Sequence, residues 1–342
     1  MRILFLLGWV SALATANGCG GPLSSSPRQP PSSTPGPDDR FAGDEPCPAA
    51  GAGVVLEESA AFVAGDLPRA LVVVMGGSTE VDDAGARFAA AARGGDVLVL
   101  RTTGSTSSYT SWFGSELAVD PAPRAVATVR TDDVDAGADD AVLCRVARAD
   151  AIWLAGGDQS DYLLGWPAAL HQSLARAVAR GVALGGTSAG AMSLSSLAFD
   201  AREGSLGSEE ALLDPSQNAL SLMPSPFAAP ALAATLVDTH FTERDRLGRL
   251  IAFAARAGSS SVLGIGIDEE TSLTLDDGVM LVEGAGDAWA VRVSTTTVTP
   301  GTALSTSAVV VPLSQQTAWP PKDSREAPGA RVVVVDEGRL VD

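Results

Sequence analysis

The run from Leu184 to Ser193, LGGTSAGAMS, sets one serine inside Gly186-Thr187-Ser188-Ala189-Gly190. Gly-x-Ser-x-Gly between a strand and a helix is the pattern of a nucleophile elbow. Glycines on either side leave room for a strained turn that lifts the serine side chain clear of the backbone. The next amide, on Ala189, then lies at a helix start and faces developing negative charge. Alone, the pentapeptide says little, because Gly and Ser are common in turns.

A serine nucleophile needs a base, and the chain offers two histidines. His171 stands beside Leu170 in an amphipathic segment, where a structural role is the simpler reading. His240, in VDTHFTERDRLGRLIAF, follows an apolar stretch and precedes a helix. Strand ends of this kind are where α/β proteins gather their sites. A third group must orient the imidazole. GIGIDEETSL supplies Asp268, Glu269 and Glu270 just past the strand SVLGIGI, and strand alternation sends Asp268 and Glu269 to opposite sides, so only one can face the site. Asp200 and Glu203, after the serine helix, are rival acids. The resulting order is Ser, His, acid. An α/β-hydrolase runs Ser, acid, His, and no histidine follows His240, so that architecture is excluded.

The elements that must position these groups read as an α/β fold. ALVVVM (Ala70 to Met75) is a buried strand ending in Gly76-Gly77. DDAGARFAAAARGG is a helix with a glycine stop, and DVLVLR is the next strand. A polar loop leads to a strand in AVATVR and a helix in DDAVLCRVARA. DAIWLAGG again ends a strand on paired glycines, and ALHQSLARAVARG places Leu170, Leu174, Ala177 and Val178 at helical spacing. Apolar strands alternating with helices imply a buried, mostly parallel sheet. Beyond SVLGIGI the pattern turns strand-rich, with a hairpin in SLTLDDGVMLVEG and a strand in WAVRVS. The tail from about residue 295 carries no clear assignment.

Four blocks, AGGDQ, GGTSAGA, DTHFTERDRLGRL and GIGIDEET, occur in this order between Leu154 and Leu273, with weaker similarity back to VVVMGGSTE. Together they resemble the cyanophycinase branch of the serine peptidase family S51, which also contains aspartyl dipeptidase. The resemblance implies a fold like that of class I glutamine amidotransferase domains (flavodoxin-like), with serine in place of their cysteine. It implies a Ser-His-Glu triad of Ser188, His240 and Glu269, and an oxyanion hole from the amides of Gly157 and Ala189. Gln159 and Asp238 would stand near substrate, and Arg244, Arg246 and Arg249 match a basic cluster that helps hold a polymer of aspartate backbone and arginine side chains. Cyanophycinases typically carry glutamine before the histidine, where this chain has Thr239, so a substrate contact changes there.

The implied activity is serine exopeptidase cleavage of cyanophycin to β-aspartyl-arginine, with an α-aspartyl dipeptidase as the second enzymatic reading. A surface binding protein on the same scaffold is the reading without chemistry. No cofactor or metal is called for, and family members often dimerise.

The first residues, MRILFLLGWVSALATANGCGG, read as a secretory signal. Ala14-Thr15-Ala16 suits soluble cleavage, whereas Ala16-Asn17-Gly18-Cys19 resembles a lipoprotein box with Cys19 as the lipidated residue. The second reading is preferred, and it makes a lipid the only membrane attachment expected. Residues 19–50 are rich in Pro, Ser and Gly and read as a disordered tether, leaving one large domain over 51–342. The location expected is extracytoplasmic, where Cys47 and Cys144 could pair, though two cysteines do not establish a bridge. With 41 Asp plus Glu against 23 Lys plus Arg, the chain is a poor fit to nucleic acid.

Overall fold

The computed structural model describes residues 39–341, apart from 42, 44, 64–68, 134, 259–260, 314–316 and 322–326. The signal segment, Cys19 and the tether up to residue 38 lie outside the described residues.

Among the described residues, a 3-10 turn at Asp39–Phe41 precedes strand β1 (Val54–Glu58), the fully buried β2 (Leu71–Met75), helix α1 (Asp82–Ala91) and β3 (Asp96–Arg101). A short helix α2 (Ser107–Ser111) continues into a π turn over Trp112–Glu116, and β4 (Ala125–Thr131) follows. Next come α3 (Asp140–Arg148), β5 (Ala151–Leu154), a second π turn (Asp161–Gly165), α4 (Ala168–Arg180) and β6 (Ala183–Thr187). Past β6 lie α5 (Ala189–Ser193), β7 (Leu197–Phe199), α6 (Ser208–Leu213) and β8 (Leu222–Pro224). Strand β9 (Thr235–Thr239) and helix α7 (Leu247–Arg256) precede β10 (Leu263–Ile267) and β11 (Thr271–Asp276). The rest is strand: β12 (Val279–Gly284), β13 (Ala288–Val293), β14 (Thr306–Leu313), β15 (Thr317–Ala318), β16 (Arg331–Asp336) and β17 (Arg339–Val341).

Two large sheets result. The first has nine strands in the order β1-β4-β3-β5-β6-β2-β11-β12-β15. Its five central strands are parallel to their neighbours, as the alternation of strands and helices requires. Antiparallel strands flank them on both sides. The second sheet has six strands, β17-β16-β14-β13-β10-β9, with only β9 and β10 parallel. The α/β class with a strand-rich C-terminal part is therefore what the chain adopts. The parallel pattern, however, is confined to the middle of the first sheet, and the strand leading to His240 belongs to the second. The unassigned tail completes that second sheet through β14, β16 and β17.

Side-chain alternation divides the core. Val73, Met75, Val97, Val99 and Trp153 face α1 and the α2 segment through Phe88, Trp112 and Phe113. Val72, Val74, Leu98, Leu100, Ile152 and Leu154 face the opposite way, toward Leu143, Leu170 and Leu174 and toward Val237, Ile265 and Ile267 of the second sheet. On α4, Leu170, Leu174 and Ala177 are the buried stripe and Gly181 ends the helix at φ 81°, as the spacing predicts. Helix α3 starts on Asp139, whose carboxylate accepts the Ala141 amide at 2.8 Å. The second sheet's far face packs on α7 through Leu250, Ile251 and Phe253. Among the described residues no helix is long and apolar enough to cross a membrane.

Part of the stretch expected as tether is fastened to α3. Phe41 is buried, and Arg148 donates to the carbonyls of Phe41, Phe62 and Gly43. Cys47 and Cys144 form a disulfide with Cα atoms 5.7 Å apart, closing 97 residues of sequence. A closed loop of about 100 residues restricts the unfolded chain by up to about 4.7 kcal/mol in the chain-entropy model. Replacing both cysteines by serine should therefore lower unfolding stability by about 2–5 kcal/mol, read as a shifted urea midpoint. An unchanged midpoint would show that the bridge constrains nothing the fold depends on.

Candidate active site

Ser188 follows β6 directly and adopts φ 51°, ψ −121°, a conformation costly for a residue with a Cβ. The turn is held because the Ser188 amide donates to the Met75 carbonyl at 3.1 Å and the Ser188 carbonyl accepts from Met192. Gly190 is a steric necessity, since a Cβ there would meet the Leu154 carbonyl oxygen at 2.1 Å. The helix behind the serine can thus sit directly against β5.

His240 directly follows β9, also with positive φ (49°). Its Nε2 lies 2.7 Å from Ser188 Oγ and its Nδ1 lies 2.5 Å from Glu269 Oε1. Backbone bonds fix the ring's placement: the His240 amide donates to Gly76 and the Glu270 amide donates to Gly77. Gly77, at φ 103°, passes so close to the imidazole that a Cβ would lie 2.3 Å from Cε1. The paired glycines after β2 were legible as a turn; their part in seating the histidine was not.

The three acids past β10 separate as the pleat demands. Glu269 turns to His240, and its amide donates to Glu243. Asp268 faces away and is buried, accepting from the Thr242 amide and hydroxyl and the Asp287 amide. It therefore shapes the loop after the histidine. Glu270 accepts from Thr79. The rival Asp200 pairs with Arg202 and Ser221. His171 bonds the Tyr162 carbonyl from α4 and packs against Phe227, away from Ser188.

Burial is the largest influence on His240 and pushes its pKa below the ordinary imidazole value. Arg244 and Arg246 push the same way, and Glu269 opposes them through its hydrogen bond and its charge. The ring is accordingly neutral near pH 7, the state that can take a proton from a hydroxyl.

Two cavities meet at the serine, sharing Ser188, His240 and Arg244. The smaller, 200 Å³, is lined by Gly157, Gln159, Ala189 and Thr239. Neither the Gly157 nor the Ala189 amide has a partner among the described residues. Thr239 is fully buried and its Oγ1 is likewise unpartnered, although its carbonyl accepts from Arg246.

The expected basic cluster splits. Arg244 is exposed. Arg249, 2% exposed, directs Nε and Nη2 at the Asp238 carboxylate (2.7 and 2.5 Å) and Nη1 at the Leu206 carbonyl. Arg246 also reaches Asp238, at 3.4 Å, and burial draws its pKa down to about 10, so it keeps its charge. Asp238 is wholly buried, with both oxygens engaged. Asp238 and Arg249, expected near substrate, form an ion-paired floor, and Arg246 and Arg249 both border the smaller cavity. The spacing of the arginines could not distinguish an outward cluster from this inward one.

The fold is shared with a peptidase from an acI-B1 Actinobacterium, whose crystal structure matches with a TM-score of 0.50 over 75% of this chain and 99% of that one, at 16% identity. The segment carrying Ser188, His240 and Glu269 is more specifically similar: residues 129–282 match the model of peptidase family S51. Cyanophycinases from Synechococcus elongatus and Thermosynechococcus vestitus are each 38% identical over 149 residues, which is 42% of this chain and 42% of each relative. The match thus spans less than half the length of those curated relatives.

Three outcomes follow from the geometry around His240. Gly77→Ala should displace the imidazole and reduce turnover by about 100-fold without unfolding the domain, checked by kinetics beside circular dichroism; unaltered turnover would refute the packing role. The acid limb of the rate profile should lie below the ordinary imidazole pKa of about 6.5, because the base works only when neutral and activity is lost as pH falls through its pKa. Arg244→Ala removes a neighbouring cation and should move that limb to higher pH.

Proposed function

We propose that this protein is a serine peptidase acting on aspartyl peptides, with cyanophycin as substrate and β-aspartyl-arginine as product. The observation that carries this reading is the continuous chain of hydrogen bonds from Ser188 through His240 to Glu269, in a segment similar to family S51. Ser188 Oγ attacks the amide carbonyl as His240 Nε2 takes its proton, and Glu269 stabilises the imidazolium. The Gly157 and Ala189 amides bond the oxyanion, each contributing on the order of 3 kcal/mol to the transition state. His240 then returns the proton to the leaving amine, and water releases the acyl group.

Arg244 and the charged rim of Arg246 suit a substrate carboxylate. The Cys47–Cys144 bridge supports an oxidising, extracytoplasmic setting, in keeping with the signal-like first residues. Thr239 leaves an unsatisfied hydroxyl beside the base. With the glutamine typical of cyanophycinases absent there, a shorter aspartyl peptide is the second reading.

The test is incubation with insoluble cyanophycin, with Ser188→Ala as the blank and soluble products followed by mass spectrometry. Release of β-aspartyl-arginine by the serine protein alone is expected. Equal release by both proteins would overturn the mechanism, and cleavage only of short aspartyl peptides would move the substrate to the second reading.

A further inference from the structure

Strand β5 runs out into Ala155, Gly156 and Gly157, and this stretch passes beside Ser188: a Cβ on Gly156 would lie 3.5 Å from that of Ser188. Gly157 lines the 200 Å³ cavity, and its amide has no partner among the described residues. Such an amide can serve a reaction only if its direction is fixed, and a Gly-Gly peptide has little stiffness of its own.

The direction comes from the other side of the same peptide. A peptide unit is planar and trans, so the Gly156 carbonyl and the Gly157 N–H point opposite ways. Tyr162 holds the carbonyl side. Its hydroxyl donates to the Ala155 carbonyl at 2.9 Å and, as the weaker arm of a shared bond, to that of Gly156 at 3.4 Å. The fit is close, since a Cβ on Gly157 would come within 3.2 Å of the phenol oxygen.

Tyr162 is itself held from several directions. It is fully buried and borders neither cavity at the serine. Its carbonyl accepts from His171 Nε2 at 2.8 Å, which fixes the imidazole proton on that nitrogen because a carbonyl cannot donate. Its ring packs on Trp166 with centroids 4.6 Å apart, and Trp166 Nε1 donates to Thr131 at 3.0 Å. Asp161, the residue before it, accepts from Thr102 at 2.8 Å. Asp161 and Tyr162 open the π turn, a distortion that recurs at functional positions. Burial, the largest influence on the phenol, pushes its pKa up, so the hydroxyl stays a donor.

We infer that Tyr162 is a positioning residue: through the Ala155 and Gly156 carbonyls it aims the Gly157 amide at the oxyanion, and His171 keeps Tyr162 in place. This rests on the serine peptidase reading, in which that amide meets the charge developing on the attacked carbonyl. The chain's second histidine thereby acts on the site without touching substrate.

A fluorophosphonate probe tests this without any peptide. Ser188 Oγ displaces fluoride from phosphorus, its proton passes to His240, and the phosphoryl oxygen takes the oxyanion's place. Tyr162→Phe removes one oxygen and keeps the ring against Trp166. Its maximal labelling rate should fall about tenfold, short of the roughly 100-fold or more lost with a whole oxyanion donor, while the probe concentration at half-maximal rate stays constant. The acid limb of the labelling rate should stay in place too, because the surroundings of His240 are unchanged. His171→Ala should slow labelling by a smaller factor, and His171→Gln, which retains a donor for the Tyr162 carbonyl, should restore it. An unchanged rate in Tyr162→Phe, or a loss that moves the acid limb with it, would overturn the inference and leave the peptidase reading intact. Failure of Ser188 to label in the unaltered protein would instead count against the peptidase reading and remove the inference with it.

Discussion

The site depends on one seam of backbone hydrogen bonds. Gly76 and Gly77, leaving β2 of the first sheet, accept from His240 and Glu270 and are joined to Thr271. Ser188 follows β6, beside β2, while His240 and Glu269 follow β9 and β10 of the second sheet. Without that seam the two halves of the site would belong to separate sheets with no fixed spacing. Buried backbone groups must find partners, so the same bonds that satisfy the strand ends also set the 2.7 Å between serine and imidazole.

Beneath the seam lies the Asp238, Arg246 and Arg249 network. Desolvating three charges is costly, and an ion pair of this kind seldom adds net stability over apolar packing. Its effect is directional. Arg246 also holds the carbonyl of Thr239, the residue before His240, and Arg249 ties α7 to the Leu206 carbonyl. Asp268 does comparable work on the other side by fixing Thr242 and Asp287. The loop between His240 and α7 is therefore gripped by two inward carboxylates, and Glu269 is the one left facing the ring.

Much of this was legible in the residues. The central strands and helices announced themselves by apolar runs ending in glycine pairs, and the pleat correctly predicted that Asp268 and Glu269 part company. Ser188, His240 and Glu269 came together because each sits at a strand end, a position that alternation of apolar runs reveals. What escaped were contacts made across long sequence separations. No local pattern shows that β9 and β10 leave the parallel sheet, that Asp238 faces two arginines from the next helix, or that Gly77 lies against a ring 163 positions later. The α2 segment read as a polar loop because its serines mask the burial of Trp112 and Phe113.

Glu269 stands on the short link by which the chain leaves the second sheet, at β10, and enters the first, at β11. Stability in proteins is distributed in locally cooperative units, and a mostly antiparallel sheet docked on a mixed one is a natural boundary between two of them. Slight sliding of one sheet against the other would stretch the hydrogen bonds among serine, imidazole and carboxylate before any strand came apart. Loss of turnover on warming would then register the parting of the sheets, a quantity distinct from the melting of either.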